Sequence, residues 1–169
     1  MSASTRPSIH SHARIGRVHL KVTDLERAIA FHQDVLGFEI MERADGAAFL
    51  SSGGYHHHIA LNVWNCQDGS RADERAAGRY HLANLYPGRV ELARAYARVL
   101  RHGVPVRLLE DHGVSEAIYF ADPDGNGIEI YRDRERSERP TYSDGSLAMV
   151  SEGIDPAGLL ARLQSASVA

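Results

Sequence analysis

Apolar and polar positions along the chain change period in a fixed order. Val18, Leu20 and Val22 alternate with Arg17, His19 and Lys21, which predicts a strand because successive strand side chains face opposite ways. Thr23 and Glu26 follow with the spacing of a capping box, and Ala28, Ile29, His32, Val35 and Leu36 recur at helical intervals until Gly37 stops them. Residues 38–43 and 47–51 then flank Asp45-Gly46, a dipeptide suited to a tight turn because glycine tolerates positive φ. Residues 57–64 alternate as a further strand. The predicted order is strand, helix and three strands.

The order returns at an offset of 62 residues, where Gly16-Arg17-Val18-His19-Leu20 is matched by Gly78-Arg79-Tyr80-His81-Leu82. Residues 80–85 predict a strand, and Leu92, Ala93, Tyr96, Ala97, Val99 and Leu100 mark a helix that ends at Gly103. Strands over 105–109, 116–121 and 127–131 complete the copy, the last after Asp122-Pro123-Asp124-Gly125-Asn126. The fold class is therefore α+β, with two tandem βαβββ modules at 15–64 and 78–134. The connection at 65–77 is polar and predicts a surface loop able to act as a flap. Residues 1–14 predict a disordered segment in which His10 and His12 are solvent-exposed. The extension at 135–169 closes with a short helix opened by Asp155 and Pro156, carrying Leu159, Leu160 and Leu163 to the outside of the fold or to a partner subunit.

Composition narrows the class. In 169 residues, 19 basic against 22 acidic side chains leave a net charge of −3, so there is no polybasic stripe for nucleic acid or anionic membrane. Nowhere do about 18 apolar residues run together, and the start lacks the apolar stretch of a secretory signal, which makes the cytoplasm the expected location. Cys66 is the single cysteine, so a metal held within one chain has nitrogen and oxygen ligands.

Strand alternation then selects candidate ligands. With the aliphatic face covered by helices, the opposite face carries His19, His81 and Glu129, unusual choices for strand interiors. A carboxylate removed from water there costs several kcal/mol unless it is paired or bound to a cation. Two imidazoles and one carboxylate can occupy one side of a divalent ion, as at non-haem Fe(II) sites, and zinc, cobalt or manganese could use the same ligands. The competing interpretation pairs Glu129 with Arg17 or Arg79 and leaves the histidines as ordinary, partly buried residues.

Over residues 14–134 the chain resembles the vicinal oxygen chelate superfamily, and within it the single-domain extradiol catechol dioxygenases. The resemblance rests on residues 17–22 (RVHLKV), 55–61 (YHHHIAL), 78–82 (GRYHL) and 111–119 (DHGVSEAIY), the last leading into 122–131 (DPDGNGIEIY). It implies a curved mixed sheet around a metal site with helices on the outer face. It also implies Fe(II) held by His19, His81 and Glu129, with a small aromatic diol and dioxygen as reactants. In glyoxalase-like members a fourth ligand stands where this chain has Ala60, which disfavours the isomerase and keeps open positions for substrate. Bleomycin-type binding proteins share the fold without the ligands. The resemblance further implies His57 near bound oxygen, and His112 and Tyr119 on the substrate. Regular alternation would instead turn His58 to the site, so His57 requires a kink before Ile59. Another metal-dependent lyase, epimerase or isomerase, or a metal-free binding protein, is the alternative function, and a homodimer is compatible with the pattern.

Overall fold

The structure is a computed structural model that describes residues 9–71, 73 and 75–166. Two βαβββ units follow one another. The first contains β1 (Val18–Lys21), α1 (Leu25–Ala30), β2 (Glu39–Ala44), β3 (Ala47–Ser51) and β4 (Ile59–Asn62). The second contains β5 (Leu82–Tyr86), α2 (Arg89–Arg101), β6 (Leu108–Asp111), β7 (Ser115–Ala121) and β8 (Gly127–Asp133). Beyond them lie a two-residue strand β9 (Glu152–Gly153) and the helix α3 (Pro156–Ala166). Each module forms its own sheet, ordered β1-β4-β3-β2 in the first and β5-β8-β7-β6-β9 in the second. The outer pair is parallel in both, β1 with β4 and β5 with β8, as a strand–helix crossover requires.

The predicted α+β class and duplicated order are present, with local differences. The Thr23–Glu26 capping box does not form. Asp24 is the N-cap of α1 and accepts from the Arg27 amide at 3.0 Å. Thr23 is drawn to a stronger acceptor, donating its amide and hydroxyl to Asp124 Oδ1 at 3.1 and 2.5 Å. Glu26 instead pairs with Arg43. After Ala30 the helix widens into a π-helical segment, Phe31–Leu36, and Gly37 ends it at φ +83°, the left-handed conformation that favours glycine. The strand expected at 57–64 is confined to β4, because residues 52–58 form a loop turned by Gly53 and Gly54 at positive φ. The strands expected at 80–85 and 105–109 are shifted towards β5 and β6. The expected single curved sheet is divided in the chain into two, with β1 and β5 each at a free edge.

Leu20, Leu50, Ile59 and Leu61 face α1, and Ile118, Phe120, Ile128 and Ile130 face α2, so helices cover the aliphatic side of both sheets. The modules are also joined to each other. Phe31, Val35 and Leu36 share one buried cluster with Leu92, Tyr96 and Val99 of α2. Arg98 donates to the carbonyls of Val35 and Leu36 at 2.8 and 2.9 Å, satisfying acceptors freed at the helix end. Helix α3 docks on α2 of its own chain, with Leu159 fully buried, which answers the alternative of a partner subunit for that helix. Its first turn is capped by Asp155, which accepts from the amides of Ala157 and Gly158. His10 and His12 are exposed, as expected, and residues 1–8 of the predicted disordered segment lie outside the described residues. Among the described residues, no helix is long and apolar enough to cross a membrane.

The Asp124 clasp carries a prediction. Asp124→Ala removes acceptors from a half-buried amide, a hydroxyl and Arg27, and should cost about 2–3 kcal/mol in urea unfolding, against about 0.5 kcal/mol or less for an ordinary surface substitution.

Candidate functional site

The second module builds a connected polar cluster. Parallel register sets Ala83 of β5 beside Glu129 of β8, so His81, two residues earlier, projects on the same face beside Gly127. Glycine is required there: a Cβ at position 127 would stand 2.2 Å from the Tyr80 carbonyl oxygen, and its absence lets the His81 backbone lie against β8. His81 Nε2 reaches Glu129 Oε2 at 2.8 Å. In the antiparallel β7–β8 pair Tyr119 lies opposite Glu129 and donates its hydroxyl to Oε1 at 3.2 Å. His112 Nε2 stands 3.0 Å from that hydroxyl. The phenol has one proton and gives it to Glu129, so His112 must be the donor to the phenol oxygen, which fixes a proton on its Nε2.

Electrostatics hold this order. Burial, followed by the charge and hydrogen bond of Glu129, pushes the Tyr119 phenol far above its ordinary range, so it remains a donor. Glu129 is only 8% exposed and has His81 and Tyr119 for partners, not the arginines considered above. Arg79 bonds Asn126 instead. Glu110, not evident as a site residue from sequence, approaches His112 Nε2 at 3.7 Å. Its position on β6 opposite Ala117 is a matter of register that local sequence does not display.

The first module presents a second, separate cluster. His19 pairs in register with Ala60, and Ala60 with Phe49, so the three form a row across β1, β4 and β3. The His19 ring lies 5.4 Å from Trp64, edge on, and 6.5 Å from Phe49. His57 packs against Phe49 at 5.0 Å and so joins the face of His19. His58 turns to Ser51, its Nδ1 2.9 Å from the hydroxyl. The irregular chain before Ile59 thus breaks the alternation that would have exchanged the two histidines. Burial, then the neighbouring His56, Arg17, His19 and His58, lower the His57 pKa and favour a neutral ring.

Within one chain the structure joins His81 to Glu129 and does not bring His19 into a group with them. Among the described residues, no three of His, Cys, Asp and Glu gather closely enough to hold an ion. The three were expected to meet at one point. They stand instead on two sheets whose mutual orientation is set by helix packing, which strand alternation cannot foresee. The His81–Glu129 pair fits a metal on its own terms. Its 2.8 Å separation is near the roughly 2.9 Å between two ligands at right angles, each about 2.0–2.1 Å from one ion. His81 Nδ1 is buried without a hydrogen-bond partner. A cleft of about 1040 Å³ runs beside β5, lined by Leu82, Asn84, Tyr86, Leu36 and Arg98, with His81 and His58 on its wall.

The chain belongs to the Glyoxalase/Bleomycin resistance protein/Dioxygenase superfamily, whose family model matches residues 14–130. It is 39% identical over 153 residues to the catechol-2,3-dioxygenase of Bacillus subtilis (strain 168), covering 90% of this chain and 53% of that one. It is 30% identical over 134 residues to the manganese-dependent 2,3-dihydroxybiphenyl 1,2-dioxygenase of Geobacillus genomosp. 3, covering 76% of this chain and 39% of the relative. The chain therefore spans about half the length or less of these two relatives. Among solved structures, the lactoylglutathione lyase of Agrobacterium tumefaciens superposes with a TM-score of 0.56 at 26% identity, over 73% of this chain and 96% of the other.

Tyr119→Phe isolates the contribution of the phenol. Loss of its bonds to Glu129 and His112 should lower stability by about 1–2 kcal/mol in urea titration with the far-ultraviolet dichroism unchanged.

Proposed function

We propose that the chain is a non-haem Fe(II)-dependent extradiol dioxygenase, cleaving a catechol-type ring beside its two hydroxyls with incorporation of dioxygen. The observation that carries this is the pairing of half-buried His81 with buried Glu129, tied through Tyr119 to His112. Such a chain offers two metal donors and, next to them, two proton-bearing groups for a bound diol. His81 and Glu129 would hold the ion, and His19, which stands apart from them in this chain, is the third donor that the resemblance implies. Bound Fe(II) would acidify a coordinated hydroxyl and, being redox-active, relieve the spin restriction on reaction of triplet oxygen with a closed-shell ring.

The protein side chains do the rest. Tyr119 keeps its proton because burial and Glu129 disfavour the phenolate, so it can donate to a substrate oxygen. His112 presents Nε2–H beside it and shares the task of orienting the diol. His57, held against Phe49 and kept largely neutral, can accept the proton released by the diol and return it to the reacting oxygen. Leu82 on the cleft wall, with Trp64 and Tyr55 at the open faces, supplies apolar surface for an aromatic ring. The activity belongs to aromatic breakdown in the cytoplasm.

The glyoxalase-like alternative draws on the similarity to a lactoylglutathione lyase. Ala60 argues against it: alanine, fully buried in β4 beside His19, cannot donate a fourth ligand. A metal-free binding protein would have less use for an imidazole set 2.8 Å from a mostly buried carboxylate.

Anaerobic loading with Fe(II), Mn(II) or Zn(II), followed by oxygen and a panel of catechols, tests the proposal. Fe(II) protein should yield a yellow ring-cleavage product, and Zn(II) protein none. Equal turnover with zinc would refute the redox chemistry. His81→Ala should lose both bound iron and ring cleavage, and full activity with normal iron content would refute the ligand assignment. Tyr119→Phe should retain iron while kcat falls by about 10²-fold or more.

A further inference from the structure

Many arginines of the chain are matched with carboxylates. Arg27 pairs with Asp124, Arg43 with Glu26, Arg89 and Arg132 with Glu116, and Arg134 with Asp111. Arg17, Arg79 and Arg98 differ. All three line the cleft beside β5, and among the described residues none of them forms an ion pair. Arg79 donates to the side-chain carbonyl of Asn126 at 2.6 Å, and Arg98 to the carbonyls of Val35 and Leu36, so their acceptors are neutral. Gly37 leaves room for Arg98, since a Cβ there would stand 3.2 Å from the guanidinium carbon. Arg17 and Arg79 hold equivalent places in the repeated Gly-Arg-x-His-Leu, and the function proposed above gives them no task.

Both modules contribute to the cleft, and among the described residues its lining contains no Asp or Glu. The chain as a whole has 22 acidic against 19 basic side chains, so this local excess of cations is not a reflection of composition. A concave surface that carries one sign of charge between low-dielectric walls concentrates the field and draws in a ligand of the opposite sign. Here Leu36, Phe38, Ile59 and Leu82 supply the apolar walls. The volume, about 1040 Å³, is at the upper end of the roughly 300–1,000 Å³ of small-molecule sites. A small inorganic anion would leave the apolar walls uncovered, and a bare catechol would leave the cations unmatched.

Register joins the cleft to the donor pair. Ala83 lies beside Glu129 and Leu85 beside Tyr131, so His81, Ala83 and Leu85 share a face with Glu129 and Tyr131. His81, Ala83, Leu85 and Tyr131 all line the cleft. A ligand lying in it can therefore keep one end at His81 and Glu129.

We propose that the cleft binds the carboxylate of an aromatic acid, with Arg17, Arg79 and Arg98 around the anion and Leu36, Phe38 and Leu82 against its carbon chain. For the dioxygenase proposed above, the substrate is then a catechol bearing a short acidic side chain, its diol at the His81–Glu129 pair and its carboxylate among the arginines. The inference rests on that reading for the diol and not for the acid.

Two measurements separate these parts. In the first, metal-free protein is titrated by calorimetry with 3-phenylpropanoate and with its neutral amide, neither of which contains a diol. The acid should bind about tenfold more tightly than the amide, and added salt should weaken the acid alone. Arg17→Gln combined with Arg79→Gln should bring the two ligands within about threefold of each other. Arg101→Gln removes a charge from the exposed end of α2 and should leave the preference intact. An acid bound no better than its amide, or a preference lost as fully in Arg101→Gln as in the double variant, would overturn the anion site.

In the second, Fe(II)-loaded protein receives oxygen with 3-(3,4-dihydroxyphenyl)propanoate or its amide. The ratio of kcat/KM, acid over amide, should be about ten or more and should fall about fivefold in the double variant. A ratio near unity, or one that the double variant does not change, would overturn the assignment of the cleft to the substrate's acidic side chain. An acid preference in calorimetry with no turnover of either diol would instead overturn the dioxygenase reading and leave the anion site standing.

Discussion

A carboxylate in the middle of an inner strand constrains everything around it. Glu129 is nearly enclosed, and in that position its charge must be met by donors or a cation. Parallel pairing with β5 brings His81 to one oxygen, and antiparallel pairing with β7 brings Tyr119 to the other. The cost of burying Glu129 alone explains why its neighbours are an imidazole and a phenol, side chains that can hydrogen-bond to it. The same contacts leave the phenol protonated and fix the donor nitrogen of His112. Architecture and reactivity therefore arise from one electrostatic requirement.

Duplication of the βαβββ unit gives each module a helix-covered apolar face and an open face with chemistry on it. Helix packing and the Asp124 clasp decide how the copies sit, and they use up the apolar faces. The open faces carry the polar clusters of the candidate site.

Much of the site was legible because a strand's side chains alternate. Placing His19, His81 and Glu129 on the face away from the helices needed no tertiary information. The resemblance added His57, His112 and Tyr119, and the structure links Tyr119 and His112 to Glu129 by hydrogen bonds. The choice between His57 and His58 was not legible from alternation, because the Gly53-Gly54 turn delivers the chain to β4 out of phase. The capping box failed for a comparable reason. Thr23 and Glu26 had the right spacing, but Asp124, 101 residues away, was the better partner for the threonine. Glu110 reached the neighbourhood of His112 through strand register alone.

The sequence by itself determined the module order, the face on which each candidate ligand stands, and the nitrogen and oxygen character of the donor set. These are properties of local periodicity and residue chemistry, which act over a few residues. Tertiary structure decided which of the candidate ligands meet. His81 and Glu129 share a sheet, so backbone hydrogen bonding fixes their distance. His19 belongs to another sheet, whose placement depends on side-chain packing between helices, and no pattern within either copy encodes that rotation.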